Sequence, residues 1–197
     1  MARPKGTTRA KKPIQKKEFD RLINAVNRSL EIKSPTKLKL TRAFTLLYLT
    51  GCRVSEIALF KRDDIKQMIQ ENEYSLTNDT KTHSSRLITF DANKTQIEFL
   101  KKILPRDDGY LFAKNNSDKA MTVSALKLLM NKFIHRVLGK LYSTHSFRTG
   151  YITTAHQRGL SLEHIREDIG HKNIATTARY ATVTSDEIAK AKNLITW

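Results

Sequence analysis

The sequence predicts a mainly α-helical (α+β) domain that carries one small antiparallel β-hairpin. Most of the chain places apolar residues at helical spacing, as in KEFDRLINAVNRSL, where Phe19, Leu22 and Val26 share one face. The period then changes to two short β-favouring runs, at about 74–77 and 86–90, which a polar turn separates. Long helical stretches around a single hairpin indicate a mixed fold dominated by helices.

The helices can be placed from their apolar stripes and end signals. A helix over 123–138 follows Thr122, a good N-cap residue, and Gly51 ends an earlier one. The other helices are expected at about 17–30, 38–50, 53–60, 93–104, 145–158, 161–169, 173–180 and 185–195. Their apolar stripes are expected to form the core of the domain.

The composition is that of a globular chain. Apolar residues make up 39% of the 197 residues and charged residues 28%. No apolar run approaches the ~20 residues that span a bilayer, and no apolar segment follows the basic N-terminus, so a secretory signal is not expected. The single cysteine, Cys52, cannot form an internal disulfide and is expected to be a small buried residue.

The charge balance points to a polyanionic partner. Thirty-six Lys and Arg face nineteen Asp and Glu, which leaves a net charge of +17. Nucleic acid is the first candidate partner and an anionic membrane surface the second. Residues 1–17 contain no acid and are expected to form a flexible basic arm before a folded domain over 18–197. The arm residues expected to contact DNA phosphates are Arg3, Lys5, Arg9, Lys11, Lys12, Lys16 and Lys17; a solubilising tail is the alternative.

Several common enzyme signatures are missing from the sequence. It has no glycine-rich phosphate loop, no HExxH zinc motif and no serine in a nucleophile elbow. The six histidines lack a recognisable metal spacing, and no aspartate cluster suits Mg²⁺. We therefore expect no metal and no cofactor, so that chemistry on a phosphate would depend on side chains alone.

Suitable side chains occur at helix starts and glycine breaks. THSFRTGY places His145 and Arg148 on one face of a helix start, where the helix N-terminus favours an anion. TGCRVSEIALF places Arg53 after a glycine, with Glu56 one turn later and expected to orient it. The remaining candidates are Lys81 in the hairpin turn, His171 after Gly170, and Tyr180 nine positions beyond His171. Each residue alone is typical of a surface pair, a salt bridge or a packing contact.

Taken in order, these residues resemble the tyrosine recombinase (phage integrase) family. GCRVSEIALFKRDDI looks like the first-arginine box of that family, THSFRTGY like its HxxR box, and LEHIREDIGHKNIATTARYATV like its closing histidine–tyrosine box. The resemblance covers about residues 18–185 and implies a multi-helix tyrosine-recombinase catalytic domain. The catalytic set that it implies is Arg53, Lys81, His145, Arg148, His171 and Tyr180.

The resemblance also implies an activity and partners. Tyr180 would attack a DNA phosphate and form a 3′-phosphotyrosyl bond, Lys81 would be the general acid, and Arg53 and Arg148 would clamp the phosphate. The expected activity is site-specific recombination of double-stranded DNA by a homo-tetramer on paired sites. No membrane partner is expected, and the expected location is the cytoplasm, on the DNA of a bacterium, phage or plasmid.

Two features differ from the usual pattern of the family. Only the basic arm precedes Glu18, which is similar to short members with a catalytic domain alone; a minimal phage or plasmid enzyme and an excised domain are the alternatives. In addition, Thr149 stands where a histidine is frequent. The alternatives are a type IB topoisomerase-like enzyme and a DNA-binding regulator without catalysis. The helix within 185–197 could pack on its own domain or dock on a neighbouring subunit.

Overall fold

The computed structural model describes residues 11–77, 85–90, 94–105, 108–114 and 117–178. The elements of this part are α1 (Lys16–Arg28), α2 (Ser34–Thr50), α3 (Val54–Ile57), α4 (Arg62–Glu71), β1 (Glu73–Leu76), β2 (Arg86–Thr89), α5 (Lys94–Ile103), α6 (Val123–Leu138), α7 (His145–Gln157), α8 (Leu162–Ile169) and α9 (Ile174–Ala178). The predicted fold, mainly helical with one antiparallel hairpin, is confirmed. None of the described helices is both long and apolar enough to cross a bilayer.

Helix α2 lies at the centre of the core and contacts α1, α5, α6 and α7. Phe44 of α2 places its ring 6.0 Å from that of Phe133 in α6 and 5.6 Å from that of Phe147 in α7. Phe147 lies between two predicted site residues in the sequence and is fully buried. Its burial against Phe44 therefore fixes the rotation of α7, and with it the direction of the neighbouring site residues.

The two strands of the hairpin alternate buried and exposed side chains. Its antiparallel register pairs Tyr74 with Ile88 and Leu76 with Arg86, and these four side chains lie on the buried face. The hairpin packs on α4 and α8. An arginine therefore occupies a position that the strand pattern assigns to the core, and it needs partners there.

The segment before α1 differs from the expected arm. Helix α1 begins at Lys16, and Ile14 is fully buried. The Lys12 N–H donates to the Leu141 carbonyl at 3.1 Å and the Ile14 N–H to the Ser146 carbonyl at 2.9 Å. Because Ile14 is an apolar residue within a basic run, burying its side chain holds this stretch against the start of α7. The expectation of a flexible arm is thus wrong for residues 12–17.

A close backbone approach accommodates this segment. A Cβ atom built on Gly150 of α7 would lie 1.9 Å from the carbonyl oxygen of Ile14. Only glycine leaves the space for this contact. The residues that precede α1 are therefore packed directly on the helix that carries His145 and Arg148.

Some expectations concern residues outside the described part of the chain. These are the arm residues Arg3, Lys5 and Arg9, the turn residue Lys81, the tyrosine Tyr180 and the helix within 185–197.

Candidate active site

The carboxyl end of α8 gathers arginines from three other segments. The Asp168 carbonyl accepts from Nη1 of Arg86, the Ile169 carbonyl from Nη2 of Arg148 at 2.5 Å, and the Gly170 carbonyl from Nη2 of Arg53 at 3.5 Å. These carbonyls lie at the negative end of the helix dipole, which attracts cations. Side chains from β2, α7 and the start of α3 therefore converge on one helix end.

Gly170 makes this helix end possible. Its φ of 67° is left-handed, which glycine adopts without strain. The His171 N–H then turns back to the Arg166 carbonyl at 2.9 Å. The reversal places His171 beside the arginines instead of one turn farther along α8.

Arg53 is held by Glu56. Its backbone N–H and its Nη1 donate to the two carboxylate oxygens of Glu56, each at 2.6 Å. The Glu56 side chain is only 1% exposed, whereas that of Arg53 is 35% exposed. Burial alone would raise the pKa of Glu56, but Arg86, the Arg53 N–H and the Arg53 charge outweigh it, so this pKa is lowered. Glu56 is therefore a carboxylate, and it orients Arg53 as the sequence suggested.

Arg148 is the most deeply buried member of the set, at 2% exposure. Besides Ile169, it donates from Nη1 to the Gly51 carbonyl at 2.8 Å and from Nε to Nε2 of His171 at 3.3 Å. Burial, followed by repulsion from Arg53 and Arg86, lowers the pKa of Arg148 to about 10. The guanidinium is still charged at pH 7, in a place where an added anion would relieve the repulsion.

His171 has a defined tautomer. Arginine cannot accept a hydrogen bond, so Nε2 of His171 is the acceptor in the contact with Arg148. The proton then lies on Nδ1, which donates to Oγ1 of Thr177 at 3.0 Å. Partial burial and the charges of Arg148 and Arg53 lower the pKa of His171 to about 4. The ring is therefore neutral at pH 7 and fixes the orientation of Arg148.

His145 begins α7 at the edge of a cleft of about 390 Å³. Partial burial of the ring, with the charges of Arg148, Arg53 and Lys127, lowers the pKa of His145. The cleft is lined by Cys52, Arg53, Val54, Ser55, Val123, Lys127, Thr144, His145 and Arg148. Three cationic side chains and one neutral imidazole thus face a space that fits a phosphate group.

The structure therefore brings together Arg53, His145, Arg148 and His171 from three separate parts of the sequence. Lys81 and Tyr180 lie outside the described residues, so their places in the site stay predictions. Thr149, which departs from the family pattern, is buried and donates to the His145 carbonyl at 3.2 Å. In the part of the chain that the structure describes, no group of three or more metal-ligating side chains could hold an ion.

Sequence reasoning missed two cations of this site. Lys127 lines the cleft from α6, and its place on an exposed helix face gave no signal of this. Arg86 bonds the Cys52 sulfur at 3.0 Å and Glu56 at 3.2 Å. Its signal was present, since Arg86 stands in phase with Ile88 on the buried face of the strand.

Comparison with known proteins agrees with this arrangement. Residues 12–187 match the phage integrase family. The chain belongs to the phage integrase family. The match covers every predicted catalytic residue, from Arg53 to Tyr180.

Two relatives illustrate how this phage integrase domain relates to longer proteins. It is 28% identical over 172 residues to tyrosine recombinase XerA of Thermococcus onnurineus. This alignment covers 85% of this chain and 59% of the relative. It is 25% identical over 178 residues to tyrosine recombinase XerC of Staphylococcus aureus. This second alignment covers 87% of this chain and 58% of the relative. The chain therefore spans about three-fifths of the length of these relatives.

Solved structures share the phage integrase fold. The crystal structure of XerA recombinase has a TM-score of 0.69 at 18% identity and covers 100% of this chain and 68% of its own. The Tn1549 transposon integrase in complex with a circular intermediate DNA has a TM-score of 0.74 at 16% identity. The match covers 97% of this chain and 68% of the integrase chain. XerH bound to palindromic difH, a post-cleavage complex, has a TM-score of 0.68 at 19% identity, with 98% and 55% covered.

Proposed function

We propose that this chain acts as a site-specific DNA recombinase that cleaves and rejoins DNA strands through a 3′-phosphotyrosyl intermediate. The observation that carries the proposal is the convergence of Arg53 and Arg148 at one cleft, each hydrogen-bonded to a carbonyl at the end of α8 or just after it. Membership of the phage integrase family supports the same activity.

The arginines would serve as a phosphate clamp. A phosphodiester gains negative charge on its non-bridging oxygens as a nucleophile adds to phosphorus. Guanidinium groups match these oxygens in geometry and stay charged. Preorganised donors of this kind each contribute on the order of 10²–10³ in rate. In this chain Glu56 and His171 orient Arg53 and Arg148 before any DNA arrives.

The proton steps fall to three side chains. Oη of Tyr180 would attack phosphorus, and the bond from phosphorus to the 5′ oxygen would break. The phenol has a pKa of about 10 in solution and needs a base. His145 is the base we assign, because it lines the cleft and its lowered pKa keeps the ring neutral at pH 7. Lys81 would protonate the leaving 5′ oxygen.

Rejoining follows from the same bonds. The phosphotyrosyl linkage retains the reactivity of the broken phosphodiester, so a 5′-hydroxyl from a second strand can attack it and release Tyr180 without ATP. Exchange between two duplexes requires more than one active site, and a homo-tetramer on paired sites would supply them. Whether the outcome is integration, excision, inversion or resolution would depend on how the sites are arranged.

The test is covalent trapping on DNA. Wild-type protein and Tyr180→Phe would be incubated in EDTA with nicked duplexes from the DNA flanking the gene and with a random nicked pool. When a nick lies close to the cleavage point, the short fragment that carries the new 5′-hydroxyl can diffuse away. The strand can then no longer be rejoined, so the adduct accumulates. We expect a denaturant-resistant adduct with the wild type and none with Tyr180→Phe. Thr177→Val, three positions earlier in the chain, is the matched control and should still form the adduct, more slowly.

The outcomes separate the competing functions. Adducts together with joined products from two sites support recombination. Adducts that reseal without joined products would indicate a topoisomerase-like enzyme. Tight, sequence-specific DNA binding without any adduct would replace the proposal with a non-catalytic regulator.

A further inference from the structure

Arg86 joins three segments that carry predicted catalytic residues. Its Nη2 donates to Sγ of Cys52 at 3.0 Å and to Oε2 of Glu56 at 3.2 Å, at the start of the segment with Arg53. Its Nη1 donates to the Asp168 carbonyl, in the segment that leads to His171. Arg86 itself is the first residue of β2, five positions after Lys81.

Glu56 is shared between two arginines. Its Oε2 accepts from the Arg53 N–H at 2.6 Å and from Arg86 at 3.2 Å, while Oε1 accepts from Nη1 of Arg53. The side chains of Arg86 and Glu56 are 7% and 1% exposed. Hydrogen bonds from two arginines restrict this buried carboxylate to one position. The direction of Arg53 therefore depends on where Arg86 holds Glu56.

The fit around Arg86 is tight and specific. A Cβ atom on Gly170 would lie 3.1 Å from Cδ of Arg86, closer than side chains usually pack. Nε of Arg86 is buried and has no hydrogen-bond partner among the described residues. Leaving a buried N–H unpaired costs free energy, and the hydrogen bonds of the two Nη groups offset that cost. The two ends of the guanidinium, toward Glu56 and toward α8, thus determine its position.

We propose that Arg86 is a positioning residue that sets the geometry of the phosphate clamp by joining Glu56 to the carboxyl end of α8. The inference rests on the proposed function and deepens it. Among the described residues, Arg86 is not one of those that line the cleft with Arg53, His145 and Arg148. It acts through Glu56 on Arg53, and through the Asp168 carbonyl on the helix end that also receives Arg148.

The first experiment compares Arg86→Lys with a matched buried arginine. Lysine keeps the charge but loses the planar fork that reaches both partners. Arg42 of α2 is the control, since it is 9% exposed and donates to the carbonyls of Ile103 and Leu111, away from the cleft. We expect Arg86→Lys to slow single-turnover adduct formation on a nicked duplex by about 10- to 100-fold. Its Kd for that duplex should stay within about threefold of the wild type.

The control sets the result that would overturn the proposal. Arg42→Lys, compared at an equal loss of Tm, should change the rate by less than about threefold. Equal rate losses in the two variants would show that Arg86 matters only for folding. The same conclusion follows if Arg86→Lys does not fold where Arg42→Lys does, or if its rate loss is entirely a loss of DNA binding.

A pH profile adds a readout that a purely structural role would not move. The groups that face Glu56 are Arg53 beside it, Cys52, Arg86 from β2 and Arg148 from α7. Removing the charge in Arg86→Met takes away the largest of the effects that lower the pKa of Glu56. The pKa of Glu56 should then rise, and the acid limb of the cleavage profile should move to higher pH. An unmoved acid limb with a reduced rate would reject the positioning role.

The proposal can be tested even if the wild type forms no adduct. Sulfate, a tetrahedral dianion, would be titrated into protein with isotope-labelled histidine while the ring signals of His145 and His171 are followed by NMR. Arg86→Lys should weaken sulfate binding by about tenfold or more, and Arg42→Lys should leave it unchanged. Failure of the proposed function then appears as a missing adduct in the wild type. Failure of the Arg86 proposal appears as equal sulfate affinity in all three proteins.

Discussion

His171 shows how a single residue can be specialised for holding another. Both of its ring nitrogens are hydrogen-bonded, Nε2 to Arg148 and Nδ1 to Thr177. A protonated ring could not accept from Arg148 and would add a further positive charge beside Arg148, Arg53 and Arg86. The neutral state is therefore part of the site, and it makes the folded protein sensitive to acid.

The pH dependence of stability follows from this neutral ring. The folded pKa of His171 is lowered to about 4, below the value of about 6.5 expected in the unfolded chain. Between these values the unfolded state binds more protons, so stability falls as the pH drops from 6.5 to 4, by at most about 1.4 kcal/mol per pH unit. The lowered pKa of His145 acts in the same direction.

A glutamine variant isolates the part that belongs to His171. His171→Gln can keep hydrogen bonds but does not titrate, so only the wild type gains the extra proton on unfolding at that position. Urea unfolding at several pH values should show the wild type losing stability relative to His171→Gln as the pH falls from 7 to 4. A constant difference over that range would mean that folding does not shift the pKa of His171.

At the scale of elements, the sequence predicts the bounds of a helix best where a capping residue or a glycine marks the ends of its apolar stripe. Helix α6 has its predicted bounds because Thr122 caps its start, accepting from the Ala125 N–H, and Gly139 follows its end. Helix α2 is less predictable, since it also buries Thr45 and Leu46 off the predicted stripe. Helices α1, α5, α6 and α7 surround α2. The apolar period of one segment carries no information about which elements surround that segment.

The same limit applies to the site. The resemblance to the phage integrase family grouped Arg53, His145 and Arg148, each of which stands at a helix start that the sequence marks. The structure places all three at one cleft. The role of Arg86 depends on Glu56, thirty positions earlier, and on the main-chain carbonyl of Asp168. Every residue type has such a carbonyl, so the sequence does not mark it. Contacts of that kind arise from tertiary packing and could not be predicted from local pattern.

The segment before α1 gives a prediction at this scale. Ile14 is fully buried against the start of α7, so Ile14→Ala should lower the free energy of unfolding by about 2–5 kcal/mol. It should also slow adduct formation, since the same segment holds the helix that carries His145 and Arg148. Leu30→Ala is the control, because Leu30 is 100% exposed and its loss should cost less than about 0.5 kcal/mol. A loss of under about 1 kcal/mol in Ile14→Ala would contradict the packing described for this segment.

At the scale of the whole molecule, the net charge of +17 and the arginine cluster would serve different steps of the proposed activity. Exposed lysines and arginines attract a polyanion over a distance, and salt weakens this attraction. The proposed clamp would act on one phosphate at contact, and burial partly shields its arginines from salt. The proposed recombinase should therefore bind DNA with strong salt dependence, while the cleavage rate of bound DNA should vary little with salt.

The basic residues near the N-terminus allow this division to be measured. Each phosphate contact contributes about −0.9 to the slope of log K against log salt concentration. Replacing Arg3, Lys5 and Arg9 together by alanine should reduce that slope by about 2 to 3, if these residues contact DNA phosphates. Fluorescence anisotropy with a labelled duplex between 50 and 300 mM salt would give the slope, and saturating single-turnover trapping would give the rate.

A triple variant with the same change in net charge provides the comparison. Lys66, Lys101 and Arg136 each pair with a carboxylate, those of Asp63, Glu98 and Glu31, at 2.8 to 3.0 Å. Because acids already compensate these cations, replacing all three by alanine should change the slope by less than about 1. Equal slope changes in the two variants would mean that only the net charge matters and that the assignment of Arg3, Lys5 and Arg9 to DNA is wrong. A smaller slope for the arm variant alone, with an unchanged rate on bound DNA, would separate attraction by the arm from catalysis by the clamp.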